Sequence, residues 1–162
     1  MTAPTFETLL DRHYQEILRY TLRSLGDLHM AEDACQDTFL RAFRARHRLS
    51  AVANPRAWLY KVASNACHDA RRRRARQPLP LSDPLPAPDC PDSDDRALAT
   101  AVADFVRSLP RRQRDAVVLR KFQDMDYGEI AGVLGCSAEA ARASVYQGLR
   151  KVRAHFVEVT HA

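Results

Sequence analysis

From Thr5 to Leu25 the apolar residues Phe6, Leu9, Leu10, Tyr14, Ile17, Leu18, Leu22 and Leu25 recur at spacings of three and four. That rhythm predicts an amphipathic helix. Gly26-Asp27 ends it, and Asp27 suits the N-cap of the next. A second helix is expected over about 28–46, with Met30, Ala34, Phe39, Leu40 and Phe43 as its apolar positions. Its other face carries Glu32, Asp33, Gln36, Asp37 and Arg41. His47–Asn54 reads as a short loop, and Pro55 fits the first turn of a third helix over 55–76. There Trp58, Leu59, Val62, Ala63 and Ala66 point to a core. The helix closes on Arg71, Arg72, Arg73, Arg74 and Arg76.

The second half repeats the helical period with different punctuation. A helix over 94–108 carries Leu98, Val102, Phe105 and Val106. Leu109-Pro110 breaks it and starts another, whose apolar residues are Val117, Val118, Leu119 and Phe122. Asp126 and Glu129 have the spacing of a capping box. Ile130, Ala131 and Leu134 point inward on the short helix that follows. Gly135 stands where a left-handed C′ residue is wanted, and Ser137 is a good N-cap. The last helix gathers Ala141, Val145, Gly148, Leu149, Val152 and Phe156 on one face. Glu139, Arg142, Ala143, Tyr146, Gln147 and Arg150 lie opposite. A short helix, a Gly-containing turn and a long basic helix spell a helix-turn-helix. In that motif exposed residues near the start of the second helix reach base edges in the major groove. Arg can read guanine there, and Gln adenine. The fold class is therefore all-α, as two small helical domains.

Composition explains what joins them. Residues 77–95 hold six of the nine prolines, five aspartates and no Lys or Arg. Such proline density excludes a helix interior or a central strand and predicts an extended linker. Both flanks are basic: 14 Lys/Arg against 8 Asp/Glu over 1–76, and 11 against 7 over 96–162. One or two cations complement a helix C-terminus. The five arginines closing the third helix exceed that need and suggest a phosphate-binding stripe.

Other classes fall away. No apolar run approaches the ~18 residues of a spanning helix, so no membrane insertion is expected. The N-terminus lacks the basic and apolar regions of a secretory signal, which places the expected working compartment in the cytoplasm. Five glycines and the absence of GxGxxG or GxxxxGK[ST] argue against a nucleotide enzyme. Cys35, Cys67, Cys90 and Cys136 are widely spaced and read as ordinary reduced cysteines. No zinc-finger spacing occurs, and Asp124 and Asp126 have no His partner. The sequence thus predicts neither cofactor, metal site nor catalytic group.

Three segments resemble the extracytoplasmic-function (group IV) sigma factors of bacterial RNA polymerase. AEDACQDTFLRAF (31–43) is similar to the family's core-polymerase-binding motif. NPRAWLYKVASNACHDARRRR (54–74) is similar to its promoter −10 segment, and LPRRQRDAVVLRKFQDMDYGEIAGVLGCS (109–137) to its region 4. The resemblance implies region 2 over 1–76, the linker over 77–95 and region 4 over 96–162. It implies that Asp33, Gln36, Asp37 and Phe39 dock on clamp helices of the polymerase's largest subunit. An acidic, Gln-bearing face suits a basic protein partner rather than phosphate. It also implies that Arg56, Lys61, Asn65, Arg71, Arg72 and Arg73 face the −10 DNA, beside a loop at His47–Asn54 that captures a flipped base.

Ser137, Arg142, Ala143, Tyr146, Gln147 and Arg150 are then the −35 reading set. Family recognition helices often read S-x-G-T-V-K-S with a later Arg. Here the stretch is Ser137-Ala138-Glu139-Ala140-Ala141-Arg142-Ala143, and Gln147 takes the later Arg position. The implied partners are core RNA polymerase, promoter DNA and an anti-sigma factor of the kind that commonly holds family members. The competing reading is a stand-alone helix-turn-helix regulator, which would act without polymerase and usually as a dimer on half-sites.

Overall fold

The computed structural model describes residues 4–77 and 93–160. The chain divides into two compact units, residues 1–83 and 84–162. All regular structure among the described residues is helical.

The first unit holds α1 (Phe6–Leu25), α2 (Leu28–Arg44), a 3-10 turn (Arg46–Ala51) and α3 (Pro55–Arg76). Its helices begin and end on the expected chemistry. Thr5 and Asp27 accept hydrogen bonds from the amides of Thr8 and Met30, and Gly26 is left-handed at φ 70°. Asn54 caps α3 and Pro55 occupies its first turn. Leu9, Ile17 and Tyr20 of α1, Ala31, Ala34, Cys35 and Ala42 of α2, and Leu59, Tyr60, Ala63 and Ala66 of α3 form the core. The hydroxyl of Thr21 donates to the carbonyl of Ala31 at 3.0 Å, pinning α1 to α2 without an unsatisfied buried donor.

Several sequence expectations are corrected here. α2 stops at Arg44, and the expected loop at His47–Asn54 is largely a 3-10 turn, anchored by the buried Leu49. Leu40 and Phe43 are exposed, because Ala31, Ala34, Cys35, Thr38 and Ala42 already fill the inward stripe. Trp58 and Val62 are only half-buried. Tyr60 takes the central place instead, 5.2 Å edge-on from the Tyr20 ring. Its hydroxyl finds an acceptor in Glu16, which makes its burial tolerable.

The second unit holds α4 (Ser93–Ser108), α5 (Arg111–Lys121), α6 (Tyr127–Leu134) and α7 (Ala138–Thr160). The linker expected over 77–95 lies mostly outside the described residues, as does Cys90. Its last residues, Ser93, Asp94 and Asp95, instead make the first turn of α4, where carboxylates meet the positive end of the helix dipole. The Asp126–Glu129 capping box forms with both bonds present, and Gly135 is left-handed at φ 66°. The α5–α7 crossing is tight: a methyl on Gly148 would stand 2.6 Å from Cγ2 of Val117. The core comprises Val106, Leu109, Val117, Val118, Leu119, Met125, Ile130, Val133, Ala141 and Val145. Leu98 and Phe122, expected among the apolar positions, are exposed. Leu134, Leu149, Val152 and Phe156 are half-buried.

Candidate protein and nucleic-acid interfaces

On α2 the helical rotation that buries Ala34, Cys35 and Thr38 turns Asp33, Gln36 and Leu40 outward. Asp37 stays about one-third exposed. Phe39 lies with the core set: it is 6% exposed and its ring is 5.6 Å from that of Tyr14. In the free chain it is thus packed beneath the exposed face formed by Asp33 and Gln36. A groove of about 710 Å³ runs between this face and the end of α3. Asp33, Gln36, Asp37 and Leu40 line one wall, Arg73 and Arg74 the other.

One arginine ties these helices together. Arg41 pairs with Asp37 of its own helix at 2.8 Å and with Asp69 of α3 at 2.9 Å. The Arg41 hydrogen bond holds the Asp69 carboxyl below the usual carboxylate range, against a smaller opposing effect of burial.

The basic run of α3 does not act as one stripe. At about 100° per residue, consecutive arginines fall on different faces. Arg71 turns back and donates to the carbonyl of Ser24 at the end of α1. Arg74, one turn later, reaches Asp27 at 3.4 Å. Arg73 enters the groove beside α2. Arg72 and Arg76 remain exposed and continue the line of Lys61 and Asn65, at steps of four, seven and four. Arg56, expected on the DNA face, is engaged by Glu16 at 3.3 Å and lies 5.3 Å over the Tyr60 ring.

Glu16 gathers a cluster of His13, Arg56 and Tyr60 that periodicity did not reveal. Burial alone would raise its pKa. Hydrogen bonds from His13 and Tyr60 and the charge of Arg56 outweigh that and hold it below its ordinary value. Burial, followed by the Glu16 charge, pushes the Tyr60 phenol up. The hint in the sequence is the i,i+3 spacing of His13 and Glu16, which puts the two side chains side by side on the helix. Cys35 is likewise pushed up, to about 11, by burial, which leaves it a packed thiol with little thiolate.

All six residues of the expected −35 set, five on α7 and Ser137 just before it, are exposed. Ser137 caps the helix, accepting from the amide of Ala140 at 3.1 Å. Arg142 lies 5.4 Å and Arg120 4.7 Å from the ring centre of Tyr127, so Tyr127 braces two guanidinium groups near the start of the recognition helix. Gln113 of α5 donates its side-chain amide to the Gln147 carbonyl at 3.2 Å. Tyr146 is 63% exposed, an aromatic surface at the centre of the face. Arg114 and Asp115 of α5 are buried, and their side chains pair at 3.5 Å. The short helix, left-handed glycine and exposed basic face have the geometry of a helix-turn-helix, the class of protein that inserts a helix into duplex DNA.

Residues 9–77 match the family Sigma-70 region 2, and residues 99–152 the family Sigma-70, region 4. The RNA polymerase sigma factor CarQ of Myxococcus xanthus is 32% identical over 151 residues, covering 91% of this chain and 87% of the relative. The ECF RNA polymerase sigma factor SigL of Mycobacterium tuberculosis is 31% identical over 156 residues, covering 93% and 88%. Among solved structures, the sigma factor RpoE in complex with the anti-sigma factor NepR from Bartonella quintana superposes with a TM-score of 0.73. It covers 91% of this chain and 94% of that one, at 18% identity, and so shows the shared fold. The chain belongs to the sigma-70 family, as an RNA polymerase sigma factor of the extracytoplasmic-function type. No described helix is long and apolar enough to cross a membrane.

Proposed function

We propose that the three surfaces divide the work of promoter recognition. Residues 1–76 act as region 2 and residues 96–162 as region 4, joined by the linker at 77–95. Asp33, Gln36 and Asp37 form the polymerase-docking face, with Phe39 holding that face from below and Leu40 adding apolar area. Lys61, Asn65 and Arg72 follow the −10 DNA along α3, and Arg73 lies at its edge. Arg71 serves the fold, and Arg56 meets DNA only by leaving Glu16. Ser137, Arg142, Ala143, Tyr146, Gln147 and Arg150 face the −35 duplex. The factor recruits polymerase in the cytoplasm and does no covalent chemistry itself. An anti-sigma factor, as named for the Bartonella protein, would compete for the α2 face.

The observation that carries this reading is the sorting of charge. The exposed side of α2 is acidic and amide-bearing, whereas the exposed sides of α3 and α7 are basic. Acidic groups repel phosphate and suit a cationic protein surface, and guanidinium groups suit phosphate and guanine. The test is equilibrium binding of the full chain to core polymerase and, as holoenzyme, to promoter DNA. Charge reversal at Asp33 with Gln36→Ala should weaken core binding at least tenfold. Arg142→Ala with Arg150→Ala should leave core binding unchanged and weaken promoter binding. The opposite pattern overturns the assignment.

A further inference from the structure

Asp69 belongs by position to α3, the helix assigned to promoter DNA, yet its carboxylate faces α2. It accepts from Arg41 at 2.9 Å, and the same guanidinium nitrogen lies 2.8 Å from Asp37. Three charges thus share one site: two carboxylates and one guanidinium, with a net charge of −1. If Asp69 were neutral, Arg41 would be left to Asp37 alone and would cancel its charge. With Asp69 present, Arg41 is held between the two. Its hydrogen bond to Asp69 is the largest influence on the basicity of the guanidinium. Asp37 has one oxygen on Arg41, and the residue lines the groove together with Asp33 and Gln36.

We propose that Asp69 is a positioning residue for polymerase docking, acting through Arg41 to hold Asp37 oriented and negatively charged toward a cationic group of the partner. This rests on the reading that Asp37 meets core polymerase. It makes the docking face a product of two helices: α2 displays the carboxylate, and α3 keeps it charged. Each of the three side chains is between about one-third and one-half exposed, so the effect belongs to recognition more than to stability.

The test is core-polymerase affinity of the full chain in a double-mutant cycle, with thermal unfolding of every variant as the folding control. Asp37→Asn should weaken binding about tenfold, and Asp69→Asn about three- to fivefold, on the scale of one exposed charge interaction. In the Asp37→Asn background, Asp69→Asn should have no further effect. Asp69→Glu, which keeps the charge within reach of Arg41, should recover most of the affinity. A loss on Asp69→Asn of equal size in both backgrounds would show a merely structural role and overturn the proposal. So would wild-type affinity of Asp69→Asn. Wild-type affinity of Asp37→Asn would instead overturn the docking assignment itself, and this proposal with it. Should Asp69→Asn lower the unfolding temperature, Asp69→Glu against Asp69→Gln repeats the comparison at matched size.

Discussion

The guanidinium of Arg74 reaches the carboxylate of Asp27 at 3.4 Å, across 47 residues of chain. Asp27 is also the N-cap of α2, so one buried carboxylate starts one helix and receives the end of another. With Arg71 bonded to the Ser24 carbonyl, the last turns of α3 clasp the α1–α2 corner. Arg74→Ala should therefore destabilise the protein by about 1 kcal/mol, and Asp27→Ala by about 2 kcal/mol, since it loses a cap as well as a charged hydrogen bond. Arg72→Ala should leave the unfolding temperature unchanged and lower the salt slope of holoenzyme–promoter binding by about one phosphate contact. Thermal unfolding and a salt titration separate the two kinds of arginine.

Two glycines on helices should respond oppositely to alanine. At Gly148 the new methyl would meet Val117 at 2.6 Å and the Gln113 carbonyl at 3.3 Å. Gly148→Ala should push α7 off α5 and cost about 1–3 kcal/mol. At Gly132 no atom lies within 4 Å of the added carbon. Gly132→Ala should stabilise the unit by up to about 1 kcal/mol through helix propensity alone. Denaturant unfolding of the two variants reads both signs.

Glu16 and Asp69 have pKa values lowered in the folded state from ordinary values of 4.5 and 3.8. A lowered folded pKa stabilises the protein above the unfolded value, and that contribution is lost as the pH falls through the folded one. The contribution of these two carboxylates should accordingly be complete near neutrality and decline progressively below about pH 5. Glu16→Gln should reduce stability at neutral pH and flatten part of that acid decline. An unfolding temperature that keeps its full acid dependence in Glu16→Gln would assign the decline elsewhere.

The Gln113–Gln147 hydrogen bond bears on base choice. Bidentate recognition of adenine needs both the oxygen and the amide of a glutamine. The Gln147 oxygen already accepts from Gln113 at 3.2 Å, which leaves it one lone pair for a base and ties the orientation of its amide to α5. Gln113→Ala should therefore change the base preferred at one −35 position while leaving overall promoter affinity within about threefold. Selection from a randomised −35 library, with the holoenzyme, measures this.

Much of the fold was legible because helix boundaries are written in local chemistry. Asp27, Pro55, the Asp126–Glu129 box and Gly135 each act on backbone within one turn, and each appears where it was expected. The exposed face of α7 was legible for the same reason, since a single amphipathic helix declares its own outside. What stayed hidden depends on partners distant in sequence. At about 100° per residue Trp58 and Tyr60 lie on nearly opposite sides of α3, and the partners that go with the burial of Tyr60, the Tyr20 ring and the Glu16 carboxylate, are both distant in sequence. Phe39, Leu40 and Phe43 look alike in a sequence. The close approach of α1 and α3 buries the first and leaves the others exposed. The arginine run looked like one charge feature, and the helical rotation divides it among a clasp, a groove and a free edge.

The central claim is that this chain confers promoter choice on RNA polymerase through separate docking and DNA-reading surfaces. Run-off transcription on a genomic promoter library, with core polymerase alone and with the added protein, tests it most directly. Discrete new transcripts should appear whose start sites share a −35/−10 pair. They should disappear with the Asp33 and Gln36 substitutions, while the unfolding temperature remains that of the wild type. Unchanged transcription on adding the protein, with no co-purification with core polymerase, would contradict the account and leave a stand-alone helix-turn-helix regulator.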